Sequence, residues 1–335
     1  MERRGLGIVA VVGVVAIALA WLALPRDRTA RNDAGAVVRE EPTGVLLWLH
    51  DGTEAWPPRI TALSVDGSST PAPVDLPDLE LAADWDWSPD LAMLGWLEQV
   101  SPGESPYQVV IGRSDGSSRT VVTRLDGFNS FRGRSWSPDG SRVAYSAFTV
   151  AGTGLWVVDA ETGAQRLLRM WTRGVHVDVD WSPDGTQLAV TVAGGEGAGV
   201  YTMDPDDAEM RKVSSLDAYR VGWSPTGRTL VLEATGPDDR LPGIWVVGVD
   251  GTGERRLSPP GVLELGPVWS PDGAWIAFGS ERDQGAAEGG GLDEIDTGIY
   301  LMRADGSDVR LVVRPTDRGW SETWDWRASW PPRSA

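Results

Sequence analysis

The chain has no cysteine, only two histidines and a single lysine in 335 residues. Without cysteine there is no disulfide, no thiolate metal site, no cysteine nucleophile and no lipidated N-terminal cysteine. His50 and His176 are too few for histidine-based chemistry or a histidine metal centre, so no cofactor or metal is expected. Lys212 stands alone among arginines, which with abundant alanine, glycine and valine reads as the codon bias of a GC-rich genome. Basic charge as a whole is short: 30 basic residues face 48 acidic ones, a net charge of −18. A surface that acidic repels phosphate, which argues against nucleic acid as a partner and against a lipid-headgroup face on the folded part.

Tryptophan, by contrast, is abundant at 18 residues, alongside 41 glycines and 23 prolines. Five tryptophans open one repeated phrase: Trp87-Ser88-Pro89-Asp90, Trp136-Ser137-Pro138-Asp139-Gly140, Trp181-Ser182-Pro183-Asp184-Gly185, Trp223-Ser224-Pro225-Thr226-Gly227 and Trp269-Ser270-Pro271-Asp272-Gly273. A degraded copy follows at Asp325-Trp326-Arg327, and the steps between the six tryptophans are 49, 45, 42, 46 and 57 residues. A period of that size belongs to solenoids, arrays and propellers.

Each unit reads as four short antiparallel strands. In the unit around Trp181, 177–181 alternates apolar and polar residues, Ser182-Pro183-Asp184-Gly185 makes a tight reversal, and 187–192 is a second strand. Residues 199–203 form a third strand and 211–213 a short polar outer one. The third strand recurs six times, at 60–65, 109–113, 155–159, 200–203, 244–247 and 299–302. The first unit, starting at Val45, lacks its own innermost strand, and the late copy at Asp325-Trp326 can supply it and so close a ring without unpaired edges. The expectation is an all-β, six-bladed β-propeller of four-stranded antiparallel blades over 44–330, and a monomeric one. The repeated Trp-Ser-Pro-Asp-Gly followed by strands such as Leu155-Trp156-Val157-Val158-Asp159 resembles the TolB-type, WD-repeat-like propeller family across all six units. The resemblance implies the propeller fold. The Tol-system protein carries an α/β domain before its propeller, whereas only a short polar stretch stands here, so a role in that system is not implied.

Ahead of the repeats, 6–24 is an apolar run flanked by Arg3-Arg4 and by Pro25-Arg26-Asp27-Arg28. Nineteen helical residues rise roughly 28 Å, close to the thickness of a bilayer core. Residues 1–25 therefore read as one apolar helix, either a transmembrane anchor or a signal peptide cleaved near Ala18-Leu19-Ala20. Residues 26–43 read as a flexible tether, with the propeller outside the cytoplasm, and secreted if the helix is removed.

Trp87, Trp136, Trp181, Trp223, Trp269 and Trp326 share one structural position and read as inter-blade packing; Trp56, Trp171, Trp320, Trp324 and Trp330 fall outside that register. Asp86, Asp180 and Asp325 precede the repeat tryptophan, and Asp84 and Asp178 lie two residues earlier on the same strand face. Innermost strands line a propeller channel, so these five aspartates form a candidate acidic mouth for a basic partner segment or a cation, or are simply solvated and turn-bonded. Ser135, Gly222 and Val268 occupy the equivalent place in the other units, leaving any ring incomplete. Gly112-Arg113-Ser114-Asp115-Gly116 matches the serine-hydrolase nucleophile pattern as text, but it falls in the turn after a third strand, where no helix follows. The acidic, glycine-rich stretch 281–297 is a solvent-facing or partner-binding loop. The function these features point to is a non-catalytic, membrane-anchored, extracytoplasmic scaffold for a protein or peptide partner. The alternatives are a channel-mouth enzyme (lyase, lactonase or glycoside-processing) or a small-ligand sensor.

Overall fold

The computed structural model describes residues 45–50, 59–64, 72–73, 83–90, 92–101, 104–113, 116–125, 131–172, 174–282 and 298–313. The expected N-terminal helix and tether, Asp325, Trp326 and most of the 281–297 loop lie outside these residues. Among the described residues there is no helix, and hence none long and apolar enough to cross a membrane.

Among the described residues, twenty-three strands form six sheets. The first sheet joins β1 (Val45–His50), β2 (Arg59–Ser64) and β3 (Ala72–Pro73). Blade I holds β4 (Ala83–Trp87), β5 (Met93–Ser101), β6 (Glu104–Arg113) and β7 (Arg119–Leu125), and blade II holds β8 (Phe131–Trp136), β9 (Arg142–Thr149), β10 (Gly152–Asp159) and β11 (Gln165–Trp171). Blade III comprises β12 (His176–Trp181), β13 (Leu188–Ala193), β14 (Gly199–Met203) and β15 (Met210–Ser214). Blade IV comprises β16 (Asp217–Trp223), β17 (Thr229–Thr235), β18 (Gly243–Gly248) and β19 (Arg255–Arg256), and blade V comprises β20 (Glu264–Trp269), β21 (Trp275–Ser280), β22 (Gly298–Arg303) and β23 (Arg310–Val313). Each blade is an antiparallel meander in chain order, with the strand that ends in the repeat tryptophan first.

The blade count corrects the expectation of six: the described residues hold five four-stranded blades, and the first unit is a three-stranded sheet. Its sequence contains no strand of its own ending in the tryptophan phrase. The strand expected to fill its inner position, at Asp325-Trp326, lies outside the described residues.

The core lies between blades rather than inside them. Ala144, Leu155 and Val157 of blade II pack with Val177, Val179, Trp181, Leu188, Val190 and Val192 of blade III. The same layering joins Val109 and Ile111 to Trp136 and Tyr145, Ala189 and Val200 to Trp223 and Leu232, and Val231 and Ile244 to Trp269 and Phe278. An amphipathic sheet has to bury its face against another, and here that partner is always the next blade. The inner strands β4, β8, β12, β16 and β20 are successive neighbours, as expected around a common axis.

The repeated phrase builds the turn between the first and second strands. Ser182 Oγ accepts the Gln187 N–H (2.9 Å) and donates to Asp184 Oδ1 (2.6 Å), while Asp184 Oδ1 also accepts the Thr186 N–H (3.0 Å). Ser137 with Asp139, Ser88 with Asp90 and Ser270 with Asp272 repeat the arrangement. Gly185 sits at φ +74°, which a side chain disfavours, and the atom nearest to where its Cβ would stand is Pro138 Cδ of the preceding blade, at 3.5 Å. Proline and glycine of the phrase thus stack from one blade to the next.

The serine hydroxyls hold the carboxyls of Asp90, Asp139 and Asp184 below the ordinary aspartate range. A depressed native pKa stabilises the fold above the unfolded value, and that contribution disappears as pH falls through the native value. Thermal melts should therefore show stability declining below about pH 4, and an Asp139→Asn, Asp184→Asn variant should decline less steeply. Parallel curves for variant and parent would contradict this role.

Candidate functional site

Of the aspartates singled out from the sequence, Asp178 and Asp180 sit on the inner strand β12, and their carboxylate oxygens turn toward the neighbouring blades. Asp180 Oδ2 accepts the Trp223 N–H (2.7 Å) and Oδ1 accepts Ser135 Oγ–H (2.7 Å), while Ser135 Oγ accepts the Trp181 N–H (3.0 Å). Asp178, 8% exposed, accepts the Val221 N–H at Oδ2 (3.0 Å). Its backbone N–H donates to Thr191 Oγ1 (3.0 Å). Inner strands of successive blades belong to different sheets. Their edge N–H groups therefore need acceptors from side chains, and short carboxylates and hydroxyls meet that need.

Asp86 lies on β4, half-buried, and its carbonyl accepts the Trp136 indole N–H (3.1 Å). Asp84 falls at an irregularity in the pairing of β4 with β5. The incomplete ring has a steric reason in blade II, where Gly133 takes the place that Asp178 holds in blade III. A Cβ on Gly133 would stand 2.5 Å from Val179 N and 2.6 Å from Asp178 Cα.

The repeat tryptophans join the blades by the same logic. Trp136, Trp181, Trp223 and Trp269 are buried, and Trp87 is half-buried. The Trp223 indole N–H donates to Asp180 O (3.1 Å) and that of Trp269 to Gly222 O (3.3 Å), as Trp136 does to Asp86. Trp181 breaks the series: its Nε1 is buried without an acceptor, and the Arg142 guanidinium lies 4.7 Å from its ring. Outside the register, Trp171 is half-buried at the end of β11. The hydrolase-like text at 112–116 begins on the last two residues of β6 and is followed by the strand β7, with the Gly116 N–H donating to the Arg113 carbonyl (2.9 Å).

Blade IV replaces the aspartate pair with Arg220 and Gly222, and the acceptor comes from the second strand. Glu233 Oε2 accepts the Gly266 N–H of blade V (2.8 Å) and lies 3.7 Å from Arg220 Nε. Around it stand Asp178, Tyr219 and Asp217, whose carboxylate Tyr219 approaches at 3.5 Å. His176 Nε2 donates to the Tyr219 carbonyl (2.9 Å). Glu264, fully buried at the start of β20, pairs with Arg282 and accepts Ser280 Oγ–H (3.2 Å). Burial pushes Glu233 and Glu264 above the usual carboxylate range, and Tyr219 above the usual phenol range. Glu233 and Arg220 were not foreseen. A lone glutamate inside the apolar run Leu230-Val231-Leu232-Glu233-Ala234 was the available signal. Among the described residues, no group of three or more histidines and carboxylates is placed to hold a metal ion.

As chemistry, this is a set of carboxylates saturated by backbone donors, beside a half-buried patch of His176, Asp217, Tyr219 and Arg220. Asp180→Ala should destabilise the protein by about 1–3 kcal/mol in chemical denaturation, because it strands a buried N–H. Asp180→Asn, which keeps one acceptor, should cost less; equal costs would mean that the acceptor is not what matters. Glu233 carries the opposite pH signature to the turn aspartates. A native pKa raised above the unfolded value of about 4.5 costs stability as pH rises toward the native value. The melting temperature of Glu233→Gln should therefore gain on the parent as pH rises above about 4.5. A growing advantage of the parent would show that Arg220 outweighs burial.

No family model matches the chain. It is 31% identical over 106 residues to an uncharacterized protein of Agrobacterium fabrum, the match covering 32% of each chain. It is 33% identical over 75 residues to the Tol-Pal system protein TolB of Histophilus somni, covering 22% of this chain and 17% of that protein. The matched segments thus span a third or less of these relatives. Among solved structures, TolB from Acinetobacter baumannii superposes with a TM-score of 0.60 at 17% identity, covering 82% of this chain and 64% of that one. Together with the blade geometry, these likenesses show a TolB-like β-propeller fold.

Proposed function

We propose that this chain is a non-catalytic interaction scaffold held outside the cytoplasm, binding a basic segment of a partner protein at the mouth of its channel. The observation that carries the reading is the state of the inner carboxylates: both oxygens of Asp180 and Oδ2 of Asp178 are spent on neighbouring strands. Carboxylates fastened in this way stiffen a rim and lend it negative potential, whereas a general base needs an oxygen to give. The fold, shared with proteins named for the Tol-Pal system, is consistent with a role in protein interaction but does not by itself assign one.

The 19-residue apolar run at 6–24 supports attachment to the membrane, or export if that run is cleaved. The sixth copy of the phrase, at Asp325-Trp326, supports a sixth, ring-closing blade with the sheet of β1 to β3, and a monomeric propeller needs no cofactor for this role. The accessible mouth residues are Asp217 and Tyr219, both half-buried; changing them keeps the inter-blade bonds of Asp178 and Asp180 and gives up the one that Asp217 Oδ1 accepts from the Gly194 N–H (3.2 Å).

The test is crosslinking in the native membrane followed by affinity purification, comparing the parent with an Asp217→Lys, Tyr219→Ala variant that melts like the parent. A discrete partner recovered with the parent and at least about tenfold depleted with the variant is the expected result. Equal recovery would move the binding surface away from the mouth, and no recovered partner would remove the scaffold reading.

A further inference from the structure

Each blade ends in an outer strand with one unpaired side, and natural sheets protect such edges with short strands or with charge. Here β19 has two residues, β23 has four, and β15 carries Arg211 and Lys212. β7 and β11 are longer, at seven residues each, and of the large apolar side chains exposed among the described residues β7 carries one, Val121, and β11 two. Among the described residues β11, Gln165–Trp171, is bonded only to β10.

Its exposed side chains are apolar as well as basic. Leu167 is 47% exposed and Met170 39%, and Val150, in the adjoining turn between β9 and β10, is 71% exposed. These are three of the five large apolar side chains exposed among the described residues. Leu167 pairs with Trp156 and Met170 with Gly154, against which the Trp156 ring lies, so both extend the apolar face formed by Trp156 and Tyr145, whose rings stack at 5.5 Å. On the other face, Arg166 donates to the Pro205 and Asp206 carbonyls of blade III. Arg169 is not engaged in that way: its guanidinium lies over the Trp171 ring, 5.7 Å from the centroid, and meets no carboxylate among the described residues. β11 contains no acidic residue, in a chain of net charge −18.

We propose that β11 receives an extended segment of a partner protein, alternately apolar and acidic, as a fifth strand of blade II. Its backbone would pair with the open edge of β11, its apolar side chains would cover Leu167 and Met170, and its carboxylates would meet Arg169. Strand addition supplies affinity through main-chain bonds and selects partners through alternate side chains. An acidic segment is the complementary one even on an acidic protein, because screening beyond about 8 Å leaves the local guanidinium to decide. This surface is separate from the mouth and selects the opposite charge.

The test uses a fluorescent, end-blocked peptide of alternating valine and glutamate, titrated against the full-length chain by anisotropy. Saturable binding is expected, with slowed amide exchange across 165–171. Arg169→Glu should weaken binding by about tenfold and Leu167→Asp with Met170→Asp should abolish it, while Asp217→Lys leaves it unchanged. Lysine in place of glutamate, or N-methylation of alternate amides, should also abolish binding. The three substituted side chains are exposed or lie at the strand edge, and melting curves matching the parent confirm intact variants. Absence of binding up to about 1 mM, or equal binding by the variants or by the N-methylated peptide, overturns the proposal. So does sedimentation showing a dimer that the Leu167→Asp, Met170→Asp variant dissociates, since the occupant would then be a second copy of the chain.

Discussion

Everything in this ring depends on how one blade holds the next where no sheet hydrogen bonds join them. The apolar cores lie between the sheets and supply most of the cohesion, but burial has no direction and leaves the sheets free to slide. Direction comes from the inner edge, where indole N–H groups reach back to the preceding strand and the Asp178, Asp180 and Glu233 carboxylates reach forward to backbone N–H groups. The large ring of tryptophan makes both contributions at once, filling the space between blades and ending in a donor of fixed direction. That explains why the phrase opens with tryptophan rather than with phenylalanine, which would fill the space and fix nothing.

The same demand shapes the candidate site. A ring of inward-facing carboxylates would be an ion trap, whereas carboxylates turned sideways are structural acceptors that also set the potential of the mouth. Blade IV solves the problem differently from blade III, with Glu233 arriving from the second strand and Arg220 beside it. The inner edges of the two blades are consequently unlike: blade III presents a pair of aspartates, and blade IV an ion pair of Arg220 with Glu233 beside Asp217 and Tyr219.

Much of the architecture was legible because its signals are local. The serine, aspartate and glycine of the phrase form a closed set of turn bonds spanning a handful of residues, and the third strands show plain two-residue alternation. The blade count was not legible in the same way, because the first unit carries no tryptophan phrase of its own and a third strand alone does not fix how many strands join it. The direction of the aspartate side chains was hidden for a related reason. Alternation tells which residues share a face, and it placed Asp178 with Asp180, but whether that face meets the channel or the next blade depends on spacing between sheets. Glu233 was missed because the aspartate positions of blade III are arginine and glycine in blade IV, and the acceptor sits on the second strand, opposite Arg220.

The outer rim repeats the fastening at a greater radius. Arg166 reaches the Pro205 and Asp206 carbonyls, Arg211 the Val249 carbonyl and Arg255 the Asp305 carbonyl, each from an outer strand to the following blade. One fastener near the axis would leave each pair of blades as a hinge. Two fasteners at different radii turn the pair into a braced plate, whose wedge angle cannot change unless both give way together. Blades II to V, braced in this way, cannot swing apart like the leaves of a camera iris; they keep one wedge angle.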